Sequence, residues 1–429
     1  MGFREVIGLI PLVVLLQGCG PESMRSITIH GETLSPEEVA TILEHSPLPE
    51  VPEETRNAVA SDPQAVRLGQ FLFHDTALSS TGTVSCATCH QPKRDWTDGL
   101  PLSQGVAEVT RNAPTLWNGT YQRWYFWDGR ADTLWAQSLG PIESPKEMAG
   151  SRGRVYRRVA ETPRVRSLYE RVFGPIPQLE SEAVFPDARP TDGEDVAGRA
   201  WSGLSPEDQS AVNRVFANAG KAIAAFERTL VSRDAPFDRF VAALRTGDRA
   251  GMDAYPADAL RGLRTFVGEG QCILCHVGPN FTDREFHNIG LDRGGPVVDE
   301  GRFAGVAKVV EDPFNGLGAY SDDTSEEANT ALTFVAQKPD NLGEFKTPTL
   351  RNVAGTAPYM HDGRFADLGE VIRFYSELDQ EPAVGHREES LQPLHLSPAD
   401  RTDLRAFLES LTGAPLAPEA TSAIPLSQL

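Results

Sequence analysis

Positive charge is in short supply in this sequence. Lys and Arg number 40 against 60 Asp and Glu, a formal net charge of -20 over 429 residues. That balance excludes the electrostatic footprint of nucleic-acid binding. It suits a basic soluble partner, such as a small electron carrier, as well as it serves solubility. Long apolar runs are missing too. The one run, Val6 to Leu16, follows Arg4 and is too short to cross a bilayer. It ends in Leu16-Gln17-Gly18-Cys19, which reads as a lipoprotein signal: residues 1–18 removed, lipid on the Cys19 thiol. Ordinary signal cleavage leaving a free Cys19 is the alternative, and Glu5 beside Arg4 weakens the basic start. Cysteine is scarce. Four of the five lie in two short motifs and the fifth is Cys19, so no pair remains for a disulfide. No run alternates polar and apolar residues as a strand would. The expected fold class is therefore all-α.

What is present is a pentapeptide that occurs twice, Cys86-Ala-Thr-Cys89-His90 and Cys272-Ile-Leu-Cys275-His276. C-x-x-C-H reads as a c-type haem attachment site. The two thiols bond the porphyrin and the following imidazole binds the iron. A zinc site of four thiolates would place its pairs about 15–20 residues apart. Here the separation is far longer, and a His follows both pairs. A redox disulfide would not carry that His twice.

The second informative feature is an internal repeat. Arg111-Asn112-Ala113-Pro114-Thr115-Leu116 leads to Trp127-Asp128-Gly129-Arg130, and Lys346-Thr347-Pro348-Thr349-Leu350-Arg351-Asn352 leads to His361-Asp362-Gly363-Arg364. Pro114 to Trp127 and Pro348 to His361 both span 13 residues. Two related cytochrome c-like haem domains are expected, packed against each other with long loops and divided near residues 235–255. The expected organisation is a tether over 19–55 with one helix capped by Ser35-Pro36-Glu37-Glu38, a first domain over 56–245, a second over 246–415 and a tail over 416–429. Helices are expected after Ser205, from about Asp367 and after Ser397, with a short one over Leu260 to Val267. Residues 176–203 and 292–345 read as inserted loops.

Aligning the halves compares their haem faces. In the second half Tyr375 falls on the apolar face of its helix, with Leu368, Val371 and Ile372. It can place a phenol on the second iron opposite His276, since tyrosinate is a haem ligand, or it is an ordinary buried tyrosine. Counting from Trp127 aligned with His361, the equivalent of Tyr375 is Pro141, which cannot bind iron. The first iron would then be open, with Gln137 and Glu147 near it. A glutamate there can move a proton between the oxygens of hydrogen peroxide, and a glutamine can hold a bound oxygen. Trp127 lies in the aromatic run Trp124-Tyr125-Phe126-Trp127. It is either a stepping stone for electrons between the haems or core packing.

Over roughly residues 60–412 these motifs resemble the bacterial di-haem cytochrome c peroxidases and their MauG-type relatives. The resemblance rests on both C-x-x-C-H motifs, Arg111-Asn112-Ala113-Pro114, Phe126-Trp127-Asp128-Gly129-Arg130, Gly140-Pro141-Ile142, Glu147-Met148, Thr347 to Asn352, and Thr356-Ala357-Pro358-Tyr359. It implies a peroxidatic first haem on His90, with Gln137, Pro141 and Glu147 on its open side and Trp127 between the haems. It implies a calcium ion held by Asn112, Thr356 and Pro358, all oxygen donors as a hard cation requires. The second iron takes Met in typical peroxidases and Tyr in MauG. The matching position is Tyr375, with Met360 as rival. The His that blocks the first iron in many peroxidases is replaced by Gln104, and no histidine lies between His90 and His276. Gly270 stands where MauG has the tryptophan that draws electrons from its protein substrate.

The resemblance implies an exported, periplasmic enzyme that meets a membrane only through a lipid anchor, with a homodimer allowed. Its reaction is peroxide reduction with electrons from a small cytochrome or copper protein, or else oxidation of residues in a partner protein. A plain electron-transfer cytochrome would have no use for the Gln137, Pro141 and Glu147 set.

Overall fold

The computed structural model describes residues 26–180, 187–191, 195–291 and 298–429. The fold is mostly helical, as expected, and among the described residues strands form two short antiparallel pairs. Among the described residues no helix is long and apolar enough to cross a membrane.

The helices start where their caps predict. Ser205 Oγ accepts from the Asp208 amide at 3.1 Å, with Pro206 in the first turn, and Pro206–Glu227 follows. Its residues Val212, Val215, Phe216, Ala219, Ala222, Ile223 and Phe226 are all buried. Ser397 and Asp400 close a capping box on Pro398–Glu409. Asp367 caps Leu368–Glu377, which carries Tyr375.

Two apolar cores form. The first gathers Pro63–His74, Leu134–Glu143, Arg152–Glu161, Pro163–Phe173 and Pro206–Glu227. The second gathers Pro236–Thr246, Ala257–Val267, Leu368–Glu377 and Pro398–Glu409. Each has a very close helix crossing with glycine at the contact. A Cβ on Gly69 of Pro63–His74 would lie 1.8 Å from the Ala222 carbonyl oxygen, and one on Gly262 of Ala257–Val267 would lie 1.9 Å from that of Asp403. The repeat also takes the same shape twice. Isolated bridges join Tyr125 to Ala131 and Tyr359 to Phe365, and Asn118 and Asn352 both adopt a left-handed conformation.

Three stretches differ from their sequence reading. The helix expected at Ser35 is Pro36–Glu44, but it does not sit in free chain. A hairpin, Ile27–Ile29 with Glu32–Leu34, precedes it, and Ile29, Leu34, Val39 and Ile42 belong to the second core. Three-residue strands are too short to show alternation. Within 292–345, Arg302–Glu311 is a helix that buries Val306 and Val309. The Gly, Pro and acidic residues around it masked its period. Within 176–203, Val196–Ser202 is helical and buries Trp201, while 181–186 and 192–194 lie outside the described residues. The tail is no loose end: Leu416 and Leu429 pack on the first core, and Gln70 Nε2 donates to the Glu419 and Ser422 carbonyls at 3.0 and 2.8 Å.

Candidate haem cavity

Between the two cores lies one continuous cavity of about 700 Å³. Both motif histidines line it, with Cys89, Cys272 and Cys275. The first motif forms a single helical turn, Cys86–Cys89, and the second a 3-10 turn, Cys272–Leu274. All four motif thiols are free of disulfides.

The two imidazoles are held alike. His90 Nδ1 lies 3.0 Å from the Trp96 carbonyl, and His276 Nδ1 lies 3.0 Å from the Phe281 carbonyl. A carbonyl can only accept, so Nδ1 carries the hydrogen and Nε2 presents its lone pair. Burial holds both rings below the ordinary histidine range, which favours the neutral, metal-binding form. Paired thiols, a fixed tautomer and an apolar cavity fit a covalently held haem at each motif.

On the first side, Gln137 and Pro141 reach the cavity from Leu134–Glu143, and Glu147 from the turn that follows. The loop before Arg111 is pinned there: the Val106 and Ala107 amides donate to the Glu147 and Lys146 carbonyls at 2.8 and 3.0 Å. Gln104, on that loop, is exposed and does not line the cavity. Trp127 lies in the wall between the halves. Its Nε1 donates to the Asn112 carbonyl at 2.9 Å, and its own carbonyl accepts from the Lys346 amide at 2.8 Å. On the second side Tyr375 and Met360 both face the cavity. Burial pushes the Tyr375 phenol up, so only a strong cation such as iron would hold it as the anion.

Asn112, Thr356 and Pro358 all line the cavity. Asn112 Nδ2 donates to the Leu100 carbonyl at 2.8 Å, which identifies Oδ1 as the remaining acceptor. With two backbone carbonyls, this is an oxygen-only donor set that fits a hard cation.

Several cavity residues escaped the sequence reading. Glu227, at the end of Pro206–Glu227, is buried and its acid is pushed up to about 8 by burial. Its position on the stripe of Ile223 and Leu230 was the available signal. Lys346 is pushed down to about 8 by burial. His287 bridges Asp283 and Glu388, each at 2.8 Å, and these carboxylates hold it protonated. Cys275, Asp283 and His287 bring ligand atoms within 4.8 Å of one another, but Cys275 is committed to the haem motif. Arg111 pairs with Asp128 at 2.8 Å and Asp299 at 2.7 Å, and the His361 ring stacks on Phe345 at 3.6 Å.

This architecture defines a di-haem c-type protein with one cavity shared by two related halves. Comparison with known proteins agrees. Residues 63–246 match the family model of the di-haem cytochrome c peroxidases. Methylamine utilization protein MauG of Methylorubrum extorquens is 33% identical over 358 residues, covering 83% of this chain and 80% of the relative. Cytochrome c551 peroxidase of Pseudomonas aeruginosa is 30% identical over 392 residues, covering 88% of this chain and 89% of the relative. Among solved structures, a MauG-like protein associated with microbial copper homeostasis superposes with a TM-score of 0.61 and 26% identity, covering 87% of this chain and 97% of the other. The diheme peroxidase BthA of Burkholderia thailandensis, at 22% identity and a TM-score of 0.59, shares the fold over 82% of this chain and 87% of its own. The chain belongs to the di-haem cytochrome c peroxidase and MauG family. It is an oxidoreductase of the peroxide-using kind, with two haem c groups.

Proposed function

We propose that the protein reduces hydrogen peroxide at its first haem, with electrons that reach it through the second from a small cytochrome or copper protein. The observation that supports this reading is that Gln137, Pro141 and Glu147 all line the cavity, while Gln104 is exposed and does not. The haems, when attached, supply the iron that binds peroxide and the couples that carry electrons. The chain supplies the rest. Pro141 offers no ligand. The Gln137 amide donates a hydrogen bond to a bound oxygen, and the Glu147 carboxyl shifts a proton from the near oxygen to the far one. Cleavage of the O–O bond consumes two electrons and two protons and releases two waters. Trp127, hydrogen-bonded to both halves, is the proposed relay between the haems.

In this reading residues 56–245 form the peroxidatic domain and 246–415 the electron-transfer domain. Tyr375 binds the second iron, with Met360 as the competing ligand. Asn112, Thr356 and Pro358 hold calcium. The chain is exported to the periplasm and anchored through Cys19, which lies outside the described residues. A second reading is MauG-like oxidation of residues in a partner protein. Tyr375 in the cavity and the exposed Gln104 favour it, and Gly270 removes the usual entry indole.

The test is the electron paramagnetic resonance and optical spectrum of the oxidised protein, before and after one equivalent of peroxide, followed by turnover with reduced cytochrome c. A high-spin ferric haem beside a low-spin one without a methionine band, and turnover as isolated, are expected. Two low-spin haems and no turnover would overturn the open-site reading. A long-lived oxidised state without cytochrome turnover would favour the second reading.

A further inference from the structure

Glu227 lines the haem cavity from the first core, as do Cys89, His90 and Gln137. Among the described residues it has no cationic partner. The ionisable groups that sense its charge are the Cys86 thiol of the haem motif and the Tyr125 phenol, from two other elements. Arg228, the next residue, directs its guanidinium elsewhere, to Thr120 Oγ1 at 2.9 Å and the Pro52 carbonyl at 2.6 Å. Glu147 lies in the same cavity without a hydrogen bond to Glu227 among the described residues.

The hydrogen-bond partner of the Glu227 side chain is Ser138 Oγ, at 3.4 Å. Ser138 has one hydroxyl hydrogen, and its oxygen is 2.9 Å from the Leu134 carbonyl, which can only accept. With that hydrogen directed to Leu134, Ser138 has only a weak, shared donation left for the Glu227 carboxylate at 3.4 Å. A buried carboxyl with one long hydrogen bond and, among the described residues, no cation beside it favours the neutral acid. Burial moves it to about 8, within the range where a nearby charge can tip it.

We propose that Glu227 is a proton-holding residue coupled to the first haem, taking up one proton when that haem gains an electron and releasing it when the electron leaves. The oxidised haem carries one more positive charge than the reduced haem, so oxidation favours the carboxylate. This deepens the peroxidase reading and, for its catalytic purpose, rests on it. Glu147 moves a proton between two oxygens but adds none. Glu227 would supply one of the two protons consumed per peroxide as electrons leave the site, and solvent would restore it.

The test is spectroelectrochemistry of the full-length holoprotein across pH, following the first haem in wild type, E227Q and E147Q. The wild-type potential is expected to fall as pH rises through a window near 8 and to be flat on either side. E227Q should be flat throughout, at the wild-type low-pH value, and E147Q should keep the slope. An E227Q variant that retains the wild-type slope overturns the proposal. If E227Q fails to take up haem, reduced-minus-oxidised infrared spectra of wild type with isotope-labelled glutamate decide. A labelled carboxylic-acid carbonyl band must appear on reduction, and its absence overturns the proposal. No peroxide is used, so this result and the peroxidase reading can fail separately.

Discussion

Asp128 shows how one residue carries both the repeat and the stability of the cavity wall. Burial alone would raise its carboxyl, but Arg130 at 2.9 Å and Arg111 at 2.8 Å hold it down at about 2. An unfolded aspartate titrates near about 3.9. A depressed acid stabilises the fold above its unfolded pKa and loses that contribution as pH falls through its folded one. The share from Asp128 is thus whole at neutral pH and gone below about pH 2. The shift is worth about 2 kcal/mol. D128N should lose at least that much at pH 7, because two guanidinium groups are left partly unpaired. It should also flatten the acid limb of stability between about pH 4 and pH 2. Urea denaturation across pH checks this, and an unchanged acid limb would count against it. At this scale much was legible. Cys86, Cys89, His90 and their second-half twins stand out by spacing, and Pro141 and Tyr375, picked by the offset between halves, line the cavity with Gln137. Glu227 was not, because a glutamate within a helical run reads as solvated until packing shows otherwise.

Among elements, the glycine crossings at Gly69 and Gly262 set how closely helices approach in each core. Any side chain at Gly69 or Gly262 meets a backbone carbonyl, which cannot rotate away as a flexible side chain can. G69A and G262A should each cost about 1–3 kcal/mol or more through forced helix separation. The loss should appear first at the haem of the half that carries the substitution, in denaturation followed at each haem's absorption. Equal loss at both haems from either variant would contradict separate cores. Helix starts were legible here because Ser-Pro-Glu and Asp caps are local chemistry. The Ile27–Leu34 hairpin and the Arg302–Glu311 helix were not. Their stability comes from distant partners, Phe237 and Leu260 in one case and Trp124 in the other, and no local pattern encodes a distant surface.

Across the whole molecule the two ends are exchanged. Residues 27–42 complete the second core, while residues 416–429 lie on the first, where Arg67 also reaches the Gln428 carbonyl. Removing 416–429 uncovers Leu416 and Leu429 contacts and unpairs Gln70 Nε2. The truncated protein should keep both haems and melt a few degrees lower, at about 2–4 °C for each kcal/mol lost. A thermal melt of haem absorbance checks this, and an unchanged Tm would mean that the tail only rests on the surface. The exchange has a consequence for biosynthesis. Residues 27–42 are made before residues 237–411, which hold their partners in the second core. The burial of Ile29, Leu34, Val39 and Ile42 must therefore wait for the last helix of the second core, a long-range closure that the first core does not face at its own start.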